Sequence, residues 1–184
     1  MSTNHIGQHN ISPYKNIAHL GNDCIIHPYT VIGYEGFGII RDKDTGFPSQ
    51  LPHEGKVWIG DNVRIGSNCT IEQGTKPDDL TVIDDNVMID ANVVIGHNSK
   101  IFGGTIIVAG TVVGGTVTIG NNCFIGENVS LRQRIKIGNQ VVVGAGSYVS
   151  KDVPDRDIVA GVPAVSIKYK CNISNEERFR MVGY

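Results

Sequence analysis

Aliphatic residues recur at every sixth position along the second half of the chain: Ile83, Ile89, Ile95, Ile101, Ile107, Val113, Ile119, Ile125, Leu131, Ile137, Val143 and Val149. Neither the helical period nor the alternation of an ordinary strand produces this spacing. Each aliphatic is followed mostly by Gly or a small or acidic residue. Four positions on there is often Val, Thr, Ser or Cys, as in Ile95-Gly96-His97-Asn98-Ser99-Lys100. A six-residue unit holds one short flat strand and one turn, and three such units close a triangular coil whose aliphatic side chains stack along the axis. The pattern therefore predicts an all-β chain folded as a parallel β-helix of hexapeptide repeats.

The six-residue step also holds over Leu20, Ile26 and Ile32 and over Ile59, Ile65 and Ile71. Between these runs the periodicity lapses in a stretch with Gly36, Gly38, Pro48, Pro52 and Gly55, which reads as one long excursion loop over 34–58. Loops on such scaffolds usually carry the binding surface. From Ile71 to Ile83 the pattern skips one position, where Pro77 stands in for an aliphatic without shifting the frame. The expected organisation is an N-terminal cap over 1–19, the β-helix over 20–153, and a short C-terminal capping segment with tail over 154–184. Caps are needed because bare sheet edges invite aggregation. Ser174-Asn175-Glu176-Glu177 offers a capping-box start for a short final helix.

At 184 residues the chain can bury a sizeable core, and a hydrophobic content of 40% with only 7% aromatic suits stacked Ile and Val. A formal charge of −2 argues against nucleic acid as a partner. There is no apolar run long enough to span a bilayer, and the polar start is unlike a signal peptide, so the expected location is cytoplasmic. Cys24, Cys69 and Cys123 each fall four residues after a repeat aliphatic, in the small inward-facing slot, so packing explains them; Cys171 lies in the tail. No metal is expected.

Of six histidines, His97 alone sits deep inside the regular repeat. An imidazole there has either a solvated turn position or a chemical role. Two features bear on the choice. Asp90, seven residues earlier, stands where the repeat usually has Gly, and an acid beside an imidazole fixes its tautomer and raises its basicity. Gly115 lies one full coil beyond His97, within a Gly114-Gly115 pair whose free N–H can donate to a developing oxyanion. The same glycines serve equally as turn residues, and spacing does not choose.

The block from Gly33 to Ala164 includes Gly36-Phe37-Gly38, Val57-Trp58-Ile59-Gly60-Asp61-Asn62, Thr70-Ile71-Glu72-Gln73-Gly74 and Ile95-Gly96-His97-Asn98. It resembles the UDP-3-O-acylglucosamine N-acyltransferases of lipid A synthesis. That resemblance implies a left-handed β-helix, a homotrimer, His97 as general base, Asp90 as the nearby acid and the Gly115 amide as oxyanion donor. A second functional histidine of that family aligns here with Arg134. The ending, Gly144-Ala145-Gly146-Ser147 and Ala160-Gly161-Val162-Pro163-Ala164, looks instead like the coenzyme-A-dependent sugar and antibiotic acetyltransferases. Small residues there let a pantetheine arm lie along the backbone, and Arg134, Lys151, Arg156 and Lys168 are available for its phosphates. The expected donor-binding residues are thus Arg134, Gly144, Ala145, Lys151, Gly161, Pro163 and Lys168.

Taken together, these features predict transfer of an acetyl or other acyl group from acyl-CoA, as co-substrate, to the amine of a nucleotide-linked amino sugar. Tyr34, Phe37, His53, Trp58, Glu72 and Asn98 are the expected acceptor contacts, and no permanently bound cofactor is expected. A sugar O-acetyltransferase and a non-catalytic structural solenoid are the other readings open at this point.

Overall fold

The computed structural model describes residues 5–6 and 16–167; the side chains of residues 5–6 and the final helix expected from Ser174 lie outside the described part. Between Ile17 and Val149 the chain winds around three flat faces. Face 1 holds six strands whose core aliphatics are Leu20, Ile59, Ile83, Ile101, Ile119 and Ile137. Face 2 stacks Ile26, Ile65, Ile89, Ile107, Ile125, Val143 and Val159. Face 3 stacks Ile32, Ile71, Ile95, Val113, Leu131 and Val149. All neighbours on these faces are parallel, and most strands are two residues long, such as Val94–Ile95 and Val112–Val113. The architecture is a left-handed parallel β-helix. Right-handed crossovers prevail where strands are long enough to twist, and two-residue strands accumulate little twist, which frees the coil from that rule.

The core is a column of Ile and Val with almost no exposure. Each such side chain contributes about 1.5–3 kcal/mol by leaving water. The slot four residues after each aliphatic is filled by small side chains that also tie adjacent coils. The Thr105 hydroxyl donates to the Gly120 carbonyl at 2.7 Å and accepts the Cys123 N–H at 3.1 Å. Cys24, Cys69 and Cys123 occupy equivalent slots, fully buried, with their thiols on the carbonyls of Gly60, Asp90 and Gly138. The turns require a left-handed backbone three residues after the aliphatic, and Asn62, Asn68, Asn86, Asn92, Asn98, Asn122 and Asn128 all adopt φ between 53° and 60° there. Asparagine tolerates that region better than other side chains, which accounts for the Asn-rich turns.

Two expectations change. Strand pairing runs Ile59 to Ile83 and Ile71 to Ile95, so the segment after Ile71 advances the coil by one face only. The hexad around Pro77 is therefore looped out of the coil and does not stand in for an aliphatic. The long excursion is also shorter than 34–58 and more ordered. Tyr34 still pairs with Glu72, the strand Lys56–Ile59 is back on face 1, and between them Ile39–Arg41 and Pro48–Gln50 form an antiparallel hairpin. At the C-terminal end, Ile158–Gly161 joins face 2 and turns back as Ala164–Ser166, covering that edge with an antiparallel hairpin.

Candidate active site

Both excursions leave the coil at one corner, between face 3 and face 1. His97 occupies the next turn at this same corner, after Ile95 on face 3 and before Ile101 on face 1. The stacking of an inserted hairpin, a second insert and a histidine turn along one edge makes this corner unlike the other two.

His97 is held at its backbone N–H and at one ring nitrogen. Its backbone N–H donates to Glu72 Oε2 at 2.9 Å. Its Nδ1 lies 3.0 Å from Asn98 Oδ1. Asn98 Nδ2 in turn donates to Asp79 Oδ2 at 2.7 Å, and Asn98 Oδ1 also accepts the Thr75 N–H at 3.0 Å. The Asp79 carboxylate takes further hydrogen bonds from the Thr75 hydroxyl at 2.8 Å and the Lys76 N–H at 3.1 Å. The Asn98 bond first, then those of Thr75 and Lys76, hold its carboxyl below the usual carboxylate range, so it is ionised at neutral pH. An ionised carboxylate only accepts and a backbone N–H only donates, so the amide of Asn98 has one orientation. Its oxygen faces His97, which makes Nδ1 the donor of that contact and leaves Nε2 as the acceptor of the neutral ring.

Nε2 points at Gly115, one coil on. A β-carbon on Gly115 would run into His97 Nε2, Cε1 and Cδ2, so glycine is required at this position for the ring to lie where it does. The N–H two residues after each core aliphatic points out of the coil, and side-chain oxygens meet several of them: Asp61 on Asn22, Asp85 on Asp61, Glu72 on His97, Asn139 on Asn121 and Asp155 on Asn139. Gly115 holds the equivalent position after Val113, its N–H enters no hydrogen bond among the described residues, and His97 stands beside it. The pair sets an imidazole nitrogen beside an open backbone N–H.

His53, on the long excursion, completes the corner. It is 4% exposed and meets the His97 ring edge-on at 5.2 Å between centroids. Its Nδ1 donates to the Leu51 carbonyl at 2.9 Å, and Nε2 has no partner. Gly36 and Gly38 leave room for this ring, since β-carbons there would lie 3.0 Å from Nε2 and 3.1 Å from Cε1. That contact explains Gly36-Phe37-Gly38 in packing terms.

Several expected residues fall elsewhere. Asp90 follows Ile89 on face 2 and lies at the preceding corner, because an offset of seven residues exceeds one hexad and a hexad is one face. Its carboxylate accepts the Ala91 N–H at 2.7 Å. Asp90 does not orient His97 within the chain; Asn98 and Asp79 do. Asp90 also borders an open concavity on face 2 with His27, Arg64, Met88 and Ile106. Trp58 has left the excursion and stacks on His19 over face 1 at 5.1 Å. Tyr34 and Phe37 are exposed, Phe37 at 81%. Glu72 and Asn98, expected to touch the acceptor, hold His97 itself.

The donor residues divide as well. Arg134 and Lys151 follow Leu131 and Val149 at the His97 corner, on the coils above, with the Arg134 N–H on the Gly115 carbonyl at 3.0 Å. Gly144 and Ala145 follow Val143 at another corner. The Gly144 N–H already donates to Val159, its carbonyl accepts the Ser147 hydroxyl, and a β-carbon there would meet that of Ala160 at 3.0 Å. Cap packing thus explains the glycine, and its N–H is not open to a pantetheine amide. Gly161 and Pro163 belong to the capping hairpin, Arg156 bonds Gln140, and Lys168 lies outside the described residues.

Residues 116–151 match the family described as bacterial transferase hexapeptide (six repeats), and residues 56–97 match the hexapeptide repeat of succinyl-transferase. The UDP-N-acetylglucosamine acyltransferase of Bacteroides fragilis superposes over 90% of this chain and 62% of its own with a TM-score of 0.71 at 28% identity. That of Francisella novicida does so over 98% and 63%, with 0.74 at 26%. The fold is that of the hexapeptide-repeat acyltransferases. Among curated proteins, the UDP-3-O-acylglucosamine N-acyltransferase of Shewanella denitrificans is 48% identical over 48 residues, 26% of this chain and 14% of that protein. The one from Coxiella burnetii is 47% identical over 47 residues. The match thus covers a small part of those curated relatives, and this chain spans under two thirds of the two superposed structures. No helix among the described residues is long and apolar enough to cross a membrane.

Proposed function

We propose that the protein transfers an acyl group from a thioester to the amine of a nucleotide-linked amino sugar at the corner formed by His97 and Gly115. The observation that carries this reading is the free Nε2 of a tautomer-fixed histidine set against an open backbone N–H. The acceptor nitrogen attacks the thioester carbonyl, forming the C–N bond, and His97 Nε2 takes the nitrogen's proton. The carbonyl oxygen becomes an oxyanion held by the Gly115 N–H. The C–S bond then breaks, and the departing thiolate takes the proton back from the imidazolium. General-base assistance of this kind supplies about 10²–10⁴ in rate, and one oxyanion donor about 10²–10³.

His53 Nε2 is a buried acceptor without a donor, suited to a hydroxyl or amino group of the sugar. The exposed Tyr34 and Phe37 flank the same excursion. Arg134 and Lys151 stand on the coils above at the same corner, where their charges suit the phosphates of a donor such as coenzyme A. The relatives named N-acyltransferases favour an amine acceptor, whereas the superposed structures named UDP-N-acetylglucosamine acyltransferases favour testing a hydroxyl beside it. A homotrimer and a cytoplasmic location complete the reading.

The test is thiol release from acyl-CoA and from acyl carrier protein across nucleotide-linked amino sugars and their hydroxyl counterparts, with His97→Ala alongside. Transfer to an amine that collapses by at least about a hundredfold in His97→Ala supports the reading. Folded protein that transfers to no acceptor, or a fully active His97→Ala, overturns it.

A further inference from the structure

We infer that Asp79 is a positioning residue for His97, acting through the side chain of Asn98, and that the looped-out segment over 73–79 exists in this fold to deliver that carboxylate. This rests on His97 being the base.

The geometry makes a continuous line: His97 Nδ1–H to Asn98 Oδ1 at 3.0 Å, then Asn98 Nδ2–H to Asp79 Oδ2 at 2.7 Å. Nothing in the regular repeat requires it. Asn98 occupies a left-handed turn position like Asn62, whose Nδ2 reaches only the Asn86 amide on the next coil at 2.8 Å. At Asn98 the amide instead meets an ionised carboxylate supplied by the insert. The insert is folded around that carboxylate, with the Thr75 hydroxyl and the Lys76 N–H both on Oδ2. Gly74 allows the tight approach, since a β-carbon there would meet the Asp79 backbone, and so would one at Gly55. Thr81 closes the other side by accepting the Asn98 N–H at 2.9 Å.

Two effects follow. An amide unconstrained on its outer side can rotate and offer Nδ2 to His97, which would put the proton on Nε2 and leave no base; Asp79 and Thr75 forbid that orientation. The negative charge, relayed by the polarised amide, also faces the imidazolium formed during transfer.

The experiment compares the full-length wild type with Asp79→Asn, which keeps the shape and removes the charge, and with the double variant Asp79→Asn/Asn98→Asp, which moves the charge to the residue touching His97. Long-range proton–nitrogen NMR reads the His97 tautomer without any substrate. In the wild type the proton is expected on Nδ1. In Asp79→Asn a sizeable share of the Nε2–H form appears, and the double variant restores the Nδ1–H form. If the protein proves to be a transferase, Asp79→Asn lowers kcat roughly tenfold, the lower end of what outer partners of metal-bound histidines contribute. KM stays little changed. An unchanged tautomer in a folded Asp79→Asn overturns the inference. Absence of acyl transfer in the wild type overturns the proposed reaction and leaves the NMR result standing on its own.

Discussion

Gly115→Ala separates the site from the scaffold with one methyl group. Gly115 is not in the left-handed region, so alanine fits its backbone and reduces the freedom of the unfolded chain, worth about 0.4–1 kcal/mol in favour of folding. The three atoms nearest the new β-carbon all belong to the His97 ring, which is half-buried and can yield by swinging outward. Swinging breaks the Nδ1 bond to Asn98 and takes Nε2 away from the N–H it faces. The expected result is a variant as stable as the wild type whose kcat falls by about 10²–10⁴, the whole contribution of the base. Gly96→Ala is the control: its β-carbon would meet the backbone of Gly114, Gly115 and Val113, which cannot yield. That variant should lose about 1–3 kcal/mol of stability. The decisive comparison is a double-mutant cycle read by thiol release. If Gly115→Ala acts by displacing His97, it adds almost nothing in a His97→Ala background. A Gly115→Ala enzyme within about threefold of wild type, or equal losses in both backgrounds, would refute the reasoning.

Ile107→Ala empties a fully buried rung in the middle of face 2 and should cost about 2–5 kcal/mol in urea unfolding while leaving kcat of the folded protein intact. Burial pushes the thiols of Cys24, Cys69 and Cys123 up. These three should resist an aromatic disulfide in the native state and react on unfolding, and rapid native-state labelling of any of them would contradict their placement. Asp79 is held below the ordinary carboxyl value of 3.8, so its contribution to stability is present above that value and is lost as pH falls through its lower folded value. Urea midpoints followed below about pH 4 should therefore drop less steeply in Asp79→Asn than in the wild type.

The fold was legible because a period of six admits few solutions, and the isoleucines that mark it are the same ones that fill the core. His97 and Gly115 were legible for a related reason: a separation of one coil places two turn residues one above the other at one corner, as the pairing of Val94 with Val112 requires. Nearness in sequence is not nearness in space here, because one hexad rotates the chain to the next face, and Asp90 lies a corner away from His97. No local pattern marks Asp79, because the double step from Ile71 to Ile83 looks in sequence like a missing aliphatic. The signal was present in that step, since inserting a whole hexad without changing face forces a loop at the corner His97 shares. The small residues Gly144 and Ala145 suit a ligand on local pattern alone, and the packing of Gly144 against the hairpin cap depends on tertiary contacts that no local pattern encodes. His53 could be placed in the excursion but not against His97, because the excursion that carries it, with its hairpin over 39–50, has no period to follow.

A crystal structure of the protein with a non-transferable thioester analogue and a nucleotide-linked amino sugar bears most directly on whether this corner is the reaction site. The acyl oxygen is expected within about 2.7–3.1 Å of the Gly115 nitrogen, with the sugar amine against His97 Nε2. Density for the acyl group at the face 2 concavity beside Asp90 and Met88, with the His97 corner empty, would contradict it.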